Sequence, residues 1–103
     1  MTGALRRAVL DLLLLAAIRQ APGDGEAVRR LVREQAGSRF ELSPGTLYPA
    51  LHRLERNRLV RRSADDPRRY LLTEFGQRSL DRRRREWDGA VAGVNAVLTG
   101  RPR

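Results

Sequence analysis

The segment LSPGTLYPALHRLERNRLV, Leu42 to Val60, limits the fold more than any other stretch of this chain. Ser43 followed by Pro44 marks a helix start, because serine favours the position just before the first turn and proline the first position inside it. Leu47, Leu51 and Leu54 then recur at helical spacing and share one face. At roughly 100° per residue, Pro49, His52 and Arg56 lie opposite, with Thr46 and Arg53 flanking that outward face and Tyr48 at its other boundary. A helix this short is marginal alone in water, so its leucine stripe requires covering elements. Its polar, basic side is left for something outside the chain. Pro49 lies too deep for a first-turn proline; it removes the backbone bond to the Gly45 carbonyl and predicts a bend near the exposed tip.

The covering elements are legible on either side. Ala4 to Gln20 reads as a helix apolar around most of its circumference, ended by Ala21-Pro22-Gly23 and therefore central in the core. Asp24 caps a second helix from about Gly25 to Ala36, with Ala27, Val28, Leu31 and Val32 inward and Gly37 just past its end. Arg39 to Leu42 is expected as a short strand leading to Ser43. Beyond the third helix, Leu59 to Arg62 and Arg68 to Leu72 read as two strands joined by the polar turn SADDP. The rim of that hairpin carries Arg61, Arg62, Arg68 and Arg69, and Tyr70 and Leu72 point inward. Thr73 caps a long last helix to about Thr99, where Leu80, Arg84, Trp87, Val91, Val94 and Leu98 alternate at spacings of four and three. That seam needs a partner, and a second copy of the chain is the economical one.

The pattern is mainly α with a small two-stranded wing: a winged helix-turn-helix over residues 1–73, followed by a dimerisation helix and tail over 74–103. In such a fold the third helix enters the major groove of double-stranded DNA and the wing lies along the backbone. The charge agrees. The net charge is +9 and all 21 basic residues are Arg, a side chain suited to bidentate contact with phosphates and guanine edges. A GC-rich genome gives the same preference for Arg over Lys, so the sign of the charge carries more of the argument than the residue type. Absence of Cys excludes disulfides and thiolate chemistry and fits a cytoplasmic protein. The run Val9 to Ile18 is too short to span a membrane. Asp11 within it and Arg19-Gln20 after it argue against an export signal.

The sequence resembles the PadR family of bacterial transcriptional regulators. The resemblance rests on GTLYPALHRLE (Gly45 to Glu55), Leu59-Val60, RYLLTEFG (Arg69 to Gly76) and the tryptophan-bearing EWDGAVAGVNAVL (Glu86 to Leu98). It implies a homodimer held by the first and last helices, binding an inverted-repeat operator and repressing transcription until an effector releases it. The single short C-terminal helix is similar to the family's smaller subfamily. Three departures stand out. Asp24-Gly25-Glu26 replaces a His-Gly-Tyr-like segment, Arg58 replaces a frequent Gly so that Asn57 is expected in the left-handed conformation, and the wing is short.

Residue by residue, Ser43, Thr46, Tyr48, His52, Arg53, Arg56, Arg68 and Arg69 are the expected DNA contacts. Thr46 and His52 lie nearest base edges, Tyr48 and Arg53 nearer the backbone. Tyr48 can also pack on the core, and Arg69 has carboxylates near enough to compete for it. Leu80, Trp87, Val91, Val94 and Leu98 are the expected dimer interface. In some members of the family, tryptophans placed like Trp87 from the two chains line a cleft for flat aromatic molecules, which makes Trp87 a candidate contact for a small aromatic effector. The block Arg82 to Arg85 is a solvated face or a further DNA contact, and Gly89 and Gly93 either let helices approach or are tolerated. One His and no Cys leave no ligand set for a metal, and no cofactor is expected. An enzyme lacks a visible nucleophile and base pair. The remaining alternative is a winged helix used only for protein interaction, which should be apolar or acidic where this chain has Thr46, His52, Arg53 and Arg56.

Overall fold

The computed structural model describes residues 3–102. Helix α1 (Gly3–Gln20) stops at the proline break, and α2 (Gly25–Ala36) begins where the Asp24 carboxylate accepts the Ala27 amide at 2.8 Å. Helix α3 (Pro44–Arg56) leads into strands β1 (Val60–Arg62) and β2 (Tyr70–Leu72), and α4 (Glu74–Thr99) closes the chain. The strands are antiparallel, with Val60 opposite Leu72 and Arg62 opposite Tyr70. The core gathers a few side chains from every element: Leu14, Leu15 and Ile18 from α1, Val28 from α2, Leu47, Leu51 and Leu54 from α3, Val60 and Tyr70 from the hairpin, Leu80 from α4. Each large aliphatic side chain buried this way contributes about 1.5–3 kcal/mol, so the leucine stripe of α3 is what fastens that helix to the domain.

Three expectations give way. The strand expected at Arg39 to Leu42 is a single 3-10 turn, Gly37–Phe40, followed by extended chain. Gly37 at φ 76° turns the chain out of α2, and the ladder position beside β2 goes instead to Gly23, whose carbonyl accepts the Tyr70 amide at 2.8 Å. A strand needs a paired edge, and the edge of β2 is taken by Gly23.

The left-handed residue after α3 is Arg58, at φ 61°, while Asn57 at φ −85° stays on the right-handed side. Asn57 still donates to the Arg53 carbonyl; Arg58 then bonds back to Glu55 and Leu59 to Leu54, the paired closure of a Schellman cap. That register places the reversal one residue later than expected. Leu80, expected at the dimer seam, is 1% exposed within its own chain. The first turns of α4 pack into the domain, where Gly76, Ser79 and Leu80 are buried, and only the distal part carries an open apolar stripe.

The junction of α4 with the hairpin is close. Thr73 accepts the Gly76 amide at 2.9 Å and gives its hydroxyl proton to the Arg58 carbonyl at 2.6 Å. Gly76 itself lies so near β1 that a Cβ there would sit 2.0 Å from the Leu59 carbonyl oxygen. Only glycine allows that approach.

Candidate nucleic-acid interface

Because the leucines of α3 point inward, Thr46, Pro49, His52 and Arg56 are all exposed along its outer side. Helix α3 runs without interruption through Pro49. Ser43 occupies the position before the helix, but its hydroxyl does not cap a backbone amide; it donates to Thr46 Oγ1 at 3.2 Å, coupling the two hydroxyls at the helix entrance. Tyr48 is 40% exposed, and its ring lies over the start of α2, where a Cβ on Gly25 would come within 2.7 Å of the ring edge. The Gly of Asp24-Gly25-Glu26 is thus the room that Tyr48 occupies.

Arg53 departs from its expected place. Its side chain turns inward and pairs with Asp11 of α1, leaving it partly buried instead of flanking the outer face. Asp11 was visible in the sequence only as a charge interrupting VLDLLLLAAI; its partners lie 42 and 72 residues away, on α3 and α4, beyond the reach of any local pattern. Asp11 is the missed residue of this region.

The hairpin separates its arginines by role. Arg62 bonds Glu55 of α3 through Nε at 3.1 Å, donates to the Pro67 carbonyl at 3.3 Å and stacks over the Tyr70 ring at 5.2 Å. The bond to Glu55 holds the Arg62 guanidinium above its ordinary pKa, and burial pushes the Tyr70 phenol up. Arg62 is therefore a brace between α3 and the wing. Arg68 projects with its side chain 83% exposed and touches Asp66 at 3.5 Å. The competing carboxylate acts on Arg68, and not on Arg69 as the sequence suggested. Among the described residues Arg56, Arg61 and Arg69 are exposed and form no ion pair.

On the distal part of α4, Trp87, Val91, Val94 and Leu98 are all exposed, and Val97, which the spacing argument passed over, is exposed with them. Trp87 also lines a groove of about 380 Å³ between α1 and α4, with Leu5, Val9, Leu12 and Ala90. Among the described residues no cluster of three metal-ligating side chains occurs, and no helix is long and apolar enough to cross a membrane.

Two helices and a third with an open polar side, a hairpin braced to it and a long closing helix make this a winged helix-turn-helix, the architecture of transcription regulators. The chain belongs to the PadR-like family of transcriptional regulators, whose pattern it matches over residues 14–82. Among solved structures it is similar to a transcriptional regulator from Streptococcus, at 30% identity and a TM-score of 0.76, covering 95% of this chain and 99% of that one. A PadR family regulator from Eggerthella lenta DSM 2243 is 32% identical at a TM-score of 0.68, covering 92% and 86% of the two chains. One from Clostridium difficile R20291 is 29% identical at 0.73, covering 86% and 97%. No curated relative matches the chain. The protein is a transcription regulator, in a family of non-enzymatic factors.

Proposed function

We propose that the chain is a homodimeric repressor that binds an inverted-repeat operator in the cytoplasm and is released by an effector. The observation that carries this reading is the outer side of α3, where Thr46, His52 and Arg56 are exposed beside a wing bearing Arg61, Arg68 and Arg69. The N-terminal part of a recognition helix lies deepest in the major groove, so Thr46 and His52 meet base edges. Ser43, Tyr48 and Arg56 lie nearer the groove walls, and Arg68 and Arg69 meet phosphates without choosing sequence. Arg53, held by Asp11, is not among the contacts. The exposed stripe from Trp87 to Leu98 is the dimer surface, and the groove beside Trp87 is where a small aromatic effector would act on it.

The test begins with duplexes selected from a random library by the purified protein. His52→Ala and Thr46→Ala should change the preferred bases, a mismatch at either position costing about 1–3 kcal/mol in the parent. Arg56→Ala should weaken all duplexes alike. If all three variants bind the selected duplex like the parent, α3 does not read DNA and the fold serves protein interaction instead. A promoter carrying the selected site should lose output when the protein is expressed; a rise in output would make the protein an activator.

A further inference from the structure

Asp11 is the one acidic residue among the described residues that is buried, at 7% exposure, and it lies within an otherwise apolar run of α1. Its two oxygens are divided between two helices. Oδ1 accepts Arg53 Nη2 of α3, and Oδ2 accepts Arg83 Nη1 of α4 at 3.4 Å. Arg83 is fixed in turn through Nε, which donates to Ser79 Oγ at 3.0 Å, and Ser79 is 2% exposed. Both arginines are partly buried, with side chains 22% and 29% exposed for Arg53 and Arg83.

A buried ion pair gives little net stability, because desolvation offsets most of the attraction and well-packed apolar groups of similar volume often do as well. What it does impose is geometry. A carboxylate that must satisfy a planar guanidinium on each oxygen tolerates little rotation of the helices that carry them. Arg53 directly follows His52 on α3, and Arg83 lies one turn before Trp87 on α4.

We infer that Asp11 is a positioning residue for the reading helix: it holds Arg53 and Arg83 together and so fixes how α3 is rotated relative to α1 and α4, setting the direction in which Thr46 and His52 point. The leucine stripe fastens α3 to the core and the Arg62–Glu55 bond braces it to the wing, while this ion triad supplies the directional contact to α1 and α4. The inference rests on the proposed reading of DNA by α3, and it deepens that reading by naming the residue that makes it selective without touching DNA.

The experiment compares the parent with the apolar triple variant Asp11→Leu, Arg53→Met, Arg83→Met and with the single variant Asp11→Asn. The duplex is one selected by the parent, the reference is random duplex DNA, and thermal unfolding is followed alongside. The triple variant should stay folded while its ratio of selected to random affinity falls about tenfold, the size of losing alignment at one base pair. Asp11→Asn should lower the same ratio, which keeps the test valid if the triple variant does not fold. Arg53→Met alone should leave the salt dependence of random-DNA binding unchanged. An unchanged ratio in either folded Asp11 variant overturns the inference, as does a slope of log K on log salt that drops by about 0.9 in Arg53→Met, since that marks a phosphate contact. A parent that shows no preference among duplexes removes the reading of DNA itself, a failure separate from that of Asp11.

Discussion

Arg58 carries a long side chain on backbone that L-residues avoid, at φ 61°. The left-handed conformation costs about 1–2 kcal/mol, part of which glycine returns through its greater freedom in the unfolded chain. Arg58→Gly should therefore stabilise the protein by about 0.5–1 kcal/mol, raising the midpoint of thermal unfolding by a few degrees. Gly76 is the opposite case. A methyl group there meets the Leu59 carbonyl, a backbone atom that cannot swing away, so Gly76→Ala should destabilise by at least about 2 kcal/mol in denaturant unfolding. The sequence foretold a left-handed residue after α3 but placed it at Asn57, whereas Asn57 still makes the last helical bond, to Arg53, and the cap closes one residue later with Leu59 bonded to Leu54. It held no sign that Gly76 lies under a strand. Asp11 and Arg53 were equally hidden, since a contact between helices 42 residues apart leaves no periodic trace.

Among the elements, the wing shows how local chemistry limits what a charged rim can do. Asp66 accepts the Arg68 backbone amide at 3.1 Å, and this bond, helped by the Arg68 and Arg69 charges, holds its carboxyl below the ordinary aspartate range. A carboxylate whose pKa is depressed on folding contributes above its unfolded value and loses that contribution as pH falls through the folded one. The turn should thus stay ordered at pH values where a free aspartate, at about 3.9, is already half protonated. Amide NMR shifts of Arg68 and Arg69 followed against pH check this; a midpoint at or above the ordinary value would refute it. With Arg62 committed to Glu55, the proposed phosphate contacts fall to the outer arginines. Replacing Arg68 and Arg69 by Gln should weaken selected and random DNA alike and flatten the salt dependence, by about 0.9 for each phosphate no longer neutralised. The hairpin was legible because alternation and a polar turn are local signals. The segment before α3 was misread as a strand because pairing depends on which edge is vacant, and Gly23 had filled it.

The molecule as a whole measures 52 × 28 × 23 Å, longer than a domain of this size needs to be, because the distal half of α4 runs beyond the core. Its apolar stripe is open, with Val94 58%, Leu98 77% and Val97 82% exposed. Val91→Asp with Val94→Asp should yield monomers in light scattering at micromolar concentration, while the winged domain, whose core contains neither residue, keeps its helical circular dichroism. A monomeric parent would rule out the dimer. That Trp87, Val91, Val94 and Leu98 share an exposed stripe was legible from spacing, but the burial of Leu80 was not: Leu80 obeys the same periodicity as Trp87, and only the three-dimensional docking of the first turns of α4 separates a residue of the chain's own interior from one left exposed. That division bears on the lifetime of the protein in the cell. An unpaired chain leaves the end of α4, with Val94, Val97 and Leu98, exposed, a segment expected to open locally and give proteases a place to start. In the proposed dimer that segment would be covered, so degradation should fall hardest on chains made in excess or stranded at low copy number, and turnover itself would filter the pool toward assembled regulator.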